Sequence, residues 1–390
     1  MSRRRGTDVR AVDGGWVRSP GWDALFLLSG LWLTPIVCAL AYGDDEPGDA
    51  SVHALYLVLS AALWIGHRLG SSYLAYCTAA YRPLLRSQPI RFVWAPLAIS
   101  GMLFAFLVPE GFWPWARTDR VVAVAILDFG FITYHFASQH FGVLSLYRVR
   151  GGPRPVTTRT GDRWFALGIA GVLVFVADAL GTDDFHQDVW LHPWLAEASR
   201  TAALDQVRLL GTGVVGIATL VFLRFEWLAQ VRSAPRALYG LSVAVLVLAT
   251  FWLDPFLFLV LWTTQHWLAA IGLTLAVASS DHEPSPSRWV RRWQPVSLRP
   301  WLLLAFLATL SALLLPFMEV EAVEASERYG PAIFPDAWIE ALDRSPWVPV
   351  LVAFGFVTGF VHYQLDRAVF RLSDPAVREA AAGLWPGGLD

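Results

Sequence analysis

The amino-acid sequence predicts an all-α fold, a polytopic integral membrane bundle of about ten transmembrane helices. Composition gives the first reason, because 55% of the 390 residues are hydrophobic and only 16% are charged, whereas soluble domains contain roughly 45–50% apolar and about 25% charged residues. Size gives the second, since a single soluble core stops growing at roughly 250–300 residues. The third is that the apolar residues fall into runs of about 20, the length that crosses a bilayer.

Ten apolar runs are the predicted spans, and they make residues 1–390 a single transmembrane domain. In chain order the spans are 22–42, 52–81, 91–109, 121–147, 163–181, 207–225, 236–253, 255–279, 299–317 and 347–370. Asp254-Pro255 separates the seventh span from the eighth, because proline cannot continue the hydrogen-bond ladder of a helix. The first run also has features of a cleavable signal peptide, but its long leading segment favours an anchored helix.

Arginine alternates between the loops, and this alternation predicts how the chain crosses the membrane. The N-terminal segment, the loops after the second, fourth, sixth and eighth spans, and the C-terminal tail are rich in arginine, whereas the loops after the first and ninth spans are acidic. Basic residues concentrate on the cytoplasmic side of membrane proteins, so we expect both termini in the cytoplasm. Two long outer loops, 182–206 and 318–346, mix Trp and Pro with acidic residues, which predicts interfacial helices.

Charge and residue usage exclude several classes of function. The net charge of −2 excludes a strongly basic nucleic-acid binder, so no nucleic acid is expected as a partner. All 30 basic residues are arginine, which excludes a Schiff-base lysine and hence a retinal opsin or a pyridoxal-phosphate enzyme. Cys38 and Cys77 both lie inside apolar runs, so we expect them to pack in the membrane rather than form a disulfide or bind a metal.

Histidines within the predicted spans are the most informative residues of the sequence. Charges at membrane depth are costly, so an ionisable residue there is a candidate functional residue. His53 lies at the outer end of the second span. Five histidines lie deeper, and all are on even-numbered spans, which run from the outside to the inside: His67, His135, His140, His266 and His362. At a rise of about 1.5 Å per residue, counted back from the following loop, all of them fall between the bilayer middle and its cytoplasmic side. A common layer on parallel helices is what a shared site requires.

Helical spacing divides the polar residues of these spans into ligands and supporting groups. Residues four apart share a helix face, which pairs His135 with Gln139. The same spacing pairs His362 with Asp366. His135 and His140 are five residues apart and point about 140° away from each other, so both binding one ion is awkward. The predicted metal ligands are His67, His135, His266 and His362, and the predicted catalytic residues, as extra ligand, proton carrier or orienting group, are His140 and Asp366.

The types of donor atom predict the chemistry. Imidazoles with a carboxylate suit non-haem iron, zinc or copper, and iron with open positions would activate oxygen beside a lipophilic substrate. We therefore predict an integral-membrane metalloprotein, an iron-dependent oxidoreductase or oxygenase that acts on a lipophilic small molecule. Membrane lipids and an electron-donor protein are the other expected partners. Non-haem iron is the expected cofactor, and haem and zinc are the alternatives.

Other functions would use the same residues. A haem- or quinone-binding electron-transfer subunit would ligate its haems with histidine pairs from different helices. A proton-coupled transporter would relay protons through Asp128, His135 and Asp366, although transporters often have related halves, which this sequence does not show. Arg68 is expected to pair with Asp366 or Asp128. A structural interpretation also stays open, in which each histidine hydrogen-bonds a neighbouring helix.

Short motifs resemble those of other membrane proteins. Two stretches are similar to patterns in uncharacterised bacterial multi-pass proteins. The first contains Tyr134-His135, Gln139-His140-Phe141-Gly142 and Tyr147-Arg148, and the second contains His362-Tyr363, Asp366 and a later arginine. We accordingly expect a bacterial inner (plasma) membrane. The intramembrane histidines resemble in design the bacterial Brp/Blh-type β-carotene dioxygenases, all-helical membrane enzymes whose histidines hold non-haem iron. That resemblance implies the same four ligands, whereas the HxxxH and HxxHH boxes of membrane desaturases are absent from the sequence.

Overall fold

Helices make up all of the regular secondary structure in the described part of the chain. The structure, a computed structural model, describes residues 13–42, 49–151, 155–180, 197–281, 287–318, 340–341 and 344–384. Within these ranges, nine helices are long and apolar enough to cross a membrane. The prediction of an all-α, multi-pass membrane protein is therefore confirmed.

The first predicted span differs from the others because it is broken. It consists of α1 (Pro20–Phe26) and α2 (Ser29–Tyr42), which are bent by 50° relative to each other. The nine long helices of the described ranges correspond to the remaining predicted spans, and counting the bent pair as one span gives ten. They are α3 (Ser51–Cys77), α5 (Ile90–Leu107), α6 (Arg117–Arg150), α7 (Thr157–Ala177), α8 (Thr201–Leu228), α9 (Ala234–Trp252), α10 (Pro255–Ala278), α12 (Pro300–Met318) and α13 (Val348–Val369).

Three short helices lie between or after the long ones: α4 (Arg82–Ser87), α11 (Arg288–Ser297) and α14 (Pro375–Ala380). The predicted break at Asp254-Pro255 is confirmed, because α9 ends at Trp252 and α10 begins at Pro255. Oδ1 of Asp254 caps α10 by accepting a hydrogen bond from the backbone N–H of Phe256 at 2.9 Å. The two loops predicted to form interfacial helices, 182–206 and 318–346, lie mostly outside the described residues.

The C-terminal ends of α3, α6, α10 and α13 meet at one end of the bundle. Asp281, just after α10, accepts two hydrogen bonds, at 2.6 and 3.2 Å, from backbone N–H groups just after α3. The hydroxyl of Tyr81 donates to the carbonyl of Val369, the last residue of α13, at 2.6 Å. Arg150, which ends α6, donates from Nε to the carbonyl of Leu384 at 3.0 Å, in a segment that packs on α10. These four helices therefore run in the same direction, so residues at similar depth on them can share one layer.

Two glycines let α3 pack closely against α10 and α12. A Cβ at Gly66 would lie 3.0 Å from the backbone oxygen of Leu307 of α12, and a Cβ at Gly70 would lie 2.8 Å from Oγ1 of Thr274 of α10. Small residues four apart allow such close approach between membrane helices. Because His67 follows Gly66 directly, this packing holds His67 next to α10.

A buried ion-pair network joins α7, α8 and α9. Arg236, in the first turn of α9, pairs with Glu226 of α8 and with Asp162 of α7. Asp162 also lies 3.6 Å from Nε of Arg148 at the end of α6. Arg236 follows the sixth predicted span and counts as a loop arginine in the sequence, yet it is only 1% exposed. Two carboxylates pair with its guanidinium, which permits an arginine to be buried there.

Candidate metal centre

Four histidines and one aspartate from four helices meet inside the bundle. They are His67 of α3, His135 of α6, His266 of α10, and His362 and Asp366 of α13. Each of the five is at most 9% exposed. The structure thus brings together all four predicted metal ligands and one of the two predicted catalytic residues.

The four imidazole rings contact one another edge to face. The ring centroid of His67 lies 5.1 Å from that of His266 and 4.7 Å from that of His362. The ring centroid of His135 lies 4.8 Å from that of His266 and 4.9 Å from that of His362. His266 and His362 are 6.3 Å apart, so they lie diagonally across the group. The four rings therefore close a cycle around a common centre.

Gln139 of α6 fixes the orientation of His266. Oε1 of Gln139 accepts a hydrogen bond from Nδ1 of His266 at 2.9 Å, and Nε2 of Gln139 donates to the backbone oxygen of His266 at 3.4 Å. An amide oxygen only accepts, so the proton of the neutral ring lies on Nδ1. The lone pair of Nε2 is then free, which is the state in which a histidine binds a metal. The ring of Phe136 stacks on that of His266 at 3.7 Å and holds its plane.

Asp366 lies between two of the histidines. Oδ1 of Asp366 is 3.5 Å from Nδ1 of His362, one helical turn away. Oδ2 of Asp366 is 3.6 Å from Nε2 of His135. Oγ of Ser71 of α3 lies 3.5 Å from the same Nδ1 of His362. The predicted pairing of His362 with Asp366 on one helix face is confirmed, and the carboxylate reaches a second helix as well.

One nitrogen of every histidine in the cluster is buried without a hydrogen-bond partner among the described residues. These atoms are Nδ1 of His67 and Nε2 of His135, His266 and His362. A buried polar atom without a hydrogen bond costs about 1–3 kcal/mol, so native proteins rarely contain several of them together. All four histidines belong to the two groups of side chains that could hold a metal ion, and an ion that accepts a lone pair from each ligand would satisfy such nitrogens.

The donor atoms form two overlapping groups, and within each group they all lie within 4.8 Å of one another. His67, His266 and His362 form the first group, and His135, His362 and Asp366 form the second. Two bonds of about 2.1 Å place two ligand atoms about 3.0 Å apart at a right angle and about 3.4 Å apart at a tetrahedral angle. The 3.6 Å between His135 and Asp366 is close to that separation. The group that contains Asp366 is therefore within a small side-chain movement of coordinating an ion.

His140, the second predicted catalytic residue, lies outside both groups. Its Nδ1 is 2.9 Å from the hydroxyl of Tyr239 of α9. The spacing of five residues from His135 turns it to another side of α6, as the sequence predicts. In the structure, His140 therefore forms a hydrogen bond between α6 and α9.

Arg68 and Asp128 form a polar layer next to the cluster. Nη1 of Arg68 donates to Oγ1 of Thr358 at 3.2 Å, one turn before His362 on α13. Asp128 lies at a similar level, since a Cβ at Gly359 would be 3.8 Å from its Oδ1. These residues lie near the ligands, and neither belongs to the two groups of donor atoms.

A cavity of about 1330 Å³ reaches the cluster from one side. Its walls come mainly from α5, α6, α7 and α13, and it extends to the end of the bundle at which α6 and α13 terminate. Of the five cluster residues, His135 and Asp366 line this cavity. The group with two histidines and a carboxylate therefore has an accessible edge, whereas the group with three histidines is enclosed by protein.

Two contacts of these histidines are not among the sequence-based predictions. Ser71 follows His67 by four residues and so shares its helix face, a signal that pointed to this site. Tyr239 lies on an odd-numbered span, 99 residues from its partner His140. Spacing within one helix carries no information about such a contact between helices.

The fold and the cluster define a multi-pass helical membrane protein with a buried site of imidazole and carboxylate groups. No protein-family model, curated protein or solved structure matches the chain. Its chemistry is therefore inferred from the geometry of its own residues. The resemblance to Brp/Blh-type dioxygenases stays a prediction.

Proposed function

We propose that the protein is an integral-membrane metalloenzyme, a non-haem iron oxidoreductase or oxygenase that acts on a lipophilic substrate. One observation carries the proposal: four buried histidines and Asp366 converge from four helices, and each histidine has a buried nitrogen without a hydrogen-bond partner in the described chain. The alternation of arginine between loops supports an orientation with both termini in the cytoplasm, and the resemblance to bacterial multi-pass proteins supports a bacterial inner membrane.

The group formed by His135, His362 and Asp366 supports iron in particular. Two histidines and one carboxylate with open positions are the donor set of non-haem Fe(II) oxygenases. Iron held by this set supplies the activation of dioxygen. The neighbouring group with three imidazoles also suits iron, zinc or copper, but an ion held there would be shielded from any substrate.

The cavity supports a substrate that enters from the bilayer. Leu127, Phe131 and Tyr134 of α6 line it and are 53%, 45% and 54% exposed, so it is open at the side of the bundle. A lipophilic molecule that enters there meets His135 and Asp366 first. A lipophilic substrate that fills the apolar part of the cavity would displace water from the reacting atoms, which would strengthen the electrostatic interactions at the site.

The haem alternative receives less support from the geometry. Neighbouring rings in the cluster are only 4.7 to 5.1 Å apart between centroids. A porphyrin plane does not fit between rings that already touch edge to face. Haem ligation would therefore require the four helices to separate.

Metal analysis of protein purified in detergent without a His-tag tests the proposal. We expect about one or two irons per chain, matching the two donor groups, and a visible spectrum without a Soret band. The iron-loaded protein should consume oxygen when a reductant and a lipophilic substrate are added. His362→Ala removes the ligand that both groups share and should abolish iron binding. His53→Ala is the matched control, because His53 stacks on Phe256 at 4.2 Å and lies outside the cluster.

Each of the other outcomes would favour a different function or a different set of ligands. A Soret band would replace it with a haem-binding subunit. Failure to bind any metal after reconstitution with Fe(II) would leave the proton-coupled transporter and the structural interpretation. Full iron content in His362→Ala would overturn the assignment of the ligands.

A further inference from the structure

We propose that the cavity beside the cluster binds a phosphate-bearing lipid with a net negative charge. Its headgroup would lie among arginines at the end of the bundle, and its acyl chains would extend along the apolar walls towards His135 and Asp366. That this lipid is also the substrate rests on the function proposed above. The binding of the lipid itself does not depend on a metal.

Six arginines line the cavity at the end where α6 and α13 terminate. They come from the end of α6, the beginning of α7, the end of α13 and the segment that follows it: Arg148, Arg159, Arg163, Arg367, Arg371 and Arg378. Asp366 is the one acidic residue that lines the cavity in the described part of the chain. Such an excess of positive charge around one concave surface attracts anions.

Within the described part of the chain, few contacts of these guanidinium groups would compete with a ligand. Four of them make no hydrogen bond or ion pair with any described residue: Arg159, Arg163, Arg367 and Arg371. Arg148 lies 3.6 Å from Asp162, and Arg378 donates to the carbonyl of Leu372 at 3.1 Å. Because arginine offers a planar set of donors that matches phosphate oxygens, phosphate is the headgroup chemistry that this set favours.

The remaining walls of the cavity suit acyl chains. They are formed by apolar side chains such as Met102, Phe106, Leu127, Phe131 and Phe360. The volume of about 1330 Å³ exceeds the roughly 300–1,000 Å³ typical of sites for drug-sized ligands. Met102 and Leu127 are 64% and 53% exposed, so a lipid can enter from the side without opening the bundle.

The two parts of the cavity are separated by a distance that suits a lipid in one leaflet. Arg148 follows His135 by 13 residues on α6, which corresponds to about 20 Å along the helix. One leaflet contributes about 15 Å of hydrocarbon. A headgroup held at the level of Arg148 therefore places its acyl chain beside His135. A free phosphate ion would use the arginines but none of the apolar wall.

The general enrichment of arginine on one side of a membrane protein does not explain this arrangement. It accounts for arginines at this end of the bundle but not for six of them around one cavity. Arg288, Arg291 and Arg292 of α11 are exposed and follow an even-numbered span, so they are predicted to lie on the same side of the membrane, yet they do not line the cavity. They provide a matched control of equal charge.

The test is lipid binding to the full chain in detergent, measured by native mass spectrometry. The probes are phosphatidylglycerol, zwitterionic phosphatidylcholine and inorganic phosphate. We expect phosphatidylglycerol to bind about tenfold more tightly than phosphatidylcholine, because the choline charge is repelled by the arginines. Leu127→Trp fills the apolar part of the cavity and should weaken phosphatidylglycerol binding about tenfold without changing the binding of inorganic phosphate.

Two triple variants isolate the role of the arginines. Removing the cavity charges with Arg159→Gln, Arg163→Gln and Arg371→Gln should weaken phosphatidylglycerol binding by about tenfold or more. The control with Arg288→Gln, Arg291→Gln and Arg292→Gln should bind as wild type does. Size-exclusion profiles and thermal unfolding establish that each variant is folded, and Leu127→Trp tests the cavity independently of the arginines.

Three results would overturn the inference. The first is an equal loss of phosphatidylglycerol affinity in the two triple variants, and the second is equal affinity of the wild type for the two lipids. The third is inorganic phosphate that binds as tightly as phosphatidylglycerol, which would make the cavity a site for anions in general. Iron content measured on the same samples separates the two proposals. Bound iron without lipid selectivity overturns the lipid inference alone. Selective binding of phosphatidylglycerol to protein that takes up no iron overturns the proposed function alone.

Discussion

Replacing Gln139 with leucine is expected to weaken metal binding without removing any ligand. Gln139 makes two hydrogen bonds to His266, at 2.9 and 3.4 Å. Leucine has a similar volume but neither a donor nor an acceptor. Nδ1 of His266 would lose its acceptor, so the ring would no longer hold its Nε2 lone pair towards the centre of the cluster.

The size of the effect follows from the burial of the histidine. Removing such a partner of a metal-binding histidine typically lowers metal affinity 10–100-fold, which corresponds to about 1.4–2.8 kcal/mol. Because His266 is 0% exposed, solvent does not readily replace the lost acceptor, and we expect the upper part of that range. The metal-free protein should also lose stability, by about 1–3 kcal/mol, since a buried nitrogen is left without a partner.

Competition with a chelator of known Fe(II) affinity measures the change. Gln139→Glu keeps an oxygen acceptor at the same place and should retain most of the affinity. Gln294→Leu is the matched control, because Gln294 donates to the backbone oxygen of Asp281 at 3.2 Å, outside the cluster. Wild-type affinity in Gln139→Leu, or an equal loss in Gln294→Leu, would refute the orienting role of this amide.

Two further predictions concern stability outside the cluster. Arg236→Met leaves the buried carboxylates of Glu226 and Asp162 without their shared cation, and it should lower the free energy of unfolding by about 3–5 kcal/mol; unchanged thermal unfolding in detergent would contradict this. The Arg91 guanidinium, 2.9 Å away, lowers the pKa of Asp374 below its ordinary value of 3.8. Asp374→Asn should therefore be less stable than wild type at pH 7, and the difference should vanish as the pH falls below 3.8. A difference in unfolding temperature that stays constant with pH would argue against this ion pair.

Most of the helices were predictable because the signals that define them are local. An apolar run and the arginines that flank it lie in one stretch of chain, so neither depends on tertiary contacts. The break in the first span was not predictable in this way, because it depends on tertiary contacts. Asp23 in α1 accepts hydrogen bonds from the backbone N–H of Val17 at 2.7 Å and from the hydroxyl of Tyr147 of α6 at 2.9 Å. These contacts hold α1 at an angle to α2, and only the folded structure brings Tyr147 there.

The candidate ligands were predictable for a related reason. Depth in the membrane can be counted along each helix, and histidines at equal depth on parallel helices are candidates for one site. Depth does not reveal which helices are neighbours or which way each side chain turns. Helical spacing predicts that His140 turns away from His135, but neither depth nor spacing predicts its contact with Tyr239. The same limit applies to Arg236, whose burial depends on carboxylates from two other helices.

The sequence predicts a topological role for the arginines of the cavity, and it does not predict that they converge. Arg148, Arg163 and Arg371 mark the predicted cytoplasmic side, and their positions near span ends are enough for that prediction. Their convergence on one cavity depends on α6, α7 and α13 having ends at the same place. A topological signal and a binding surface thus use the same residues, and only the structure separates the two roles.

X-ray absorption at the iron edge of Fe(II)-loaded protein tests the metal centre most directly. The cluster predicts a shell of nitrogen and oxygen atoms at about 2.0–2.2 Å, with scattering from imidazole rings. Sulfur should be absent from that shell, because neither Cys38 nor Cys77 belongs to the two donor groups. His362→Ala should lose this signal. An iron shell that contains sulfur, or one that persists unchanged in His362→Ala, would contradict a metal centre built from these histidines and Asp366.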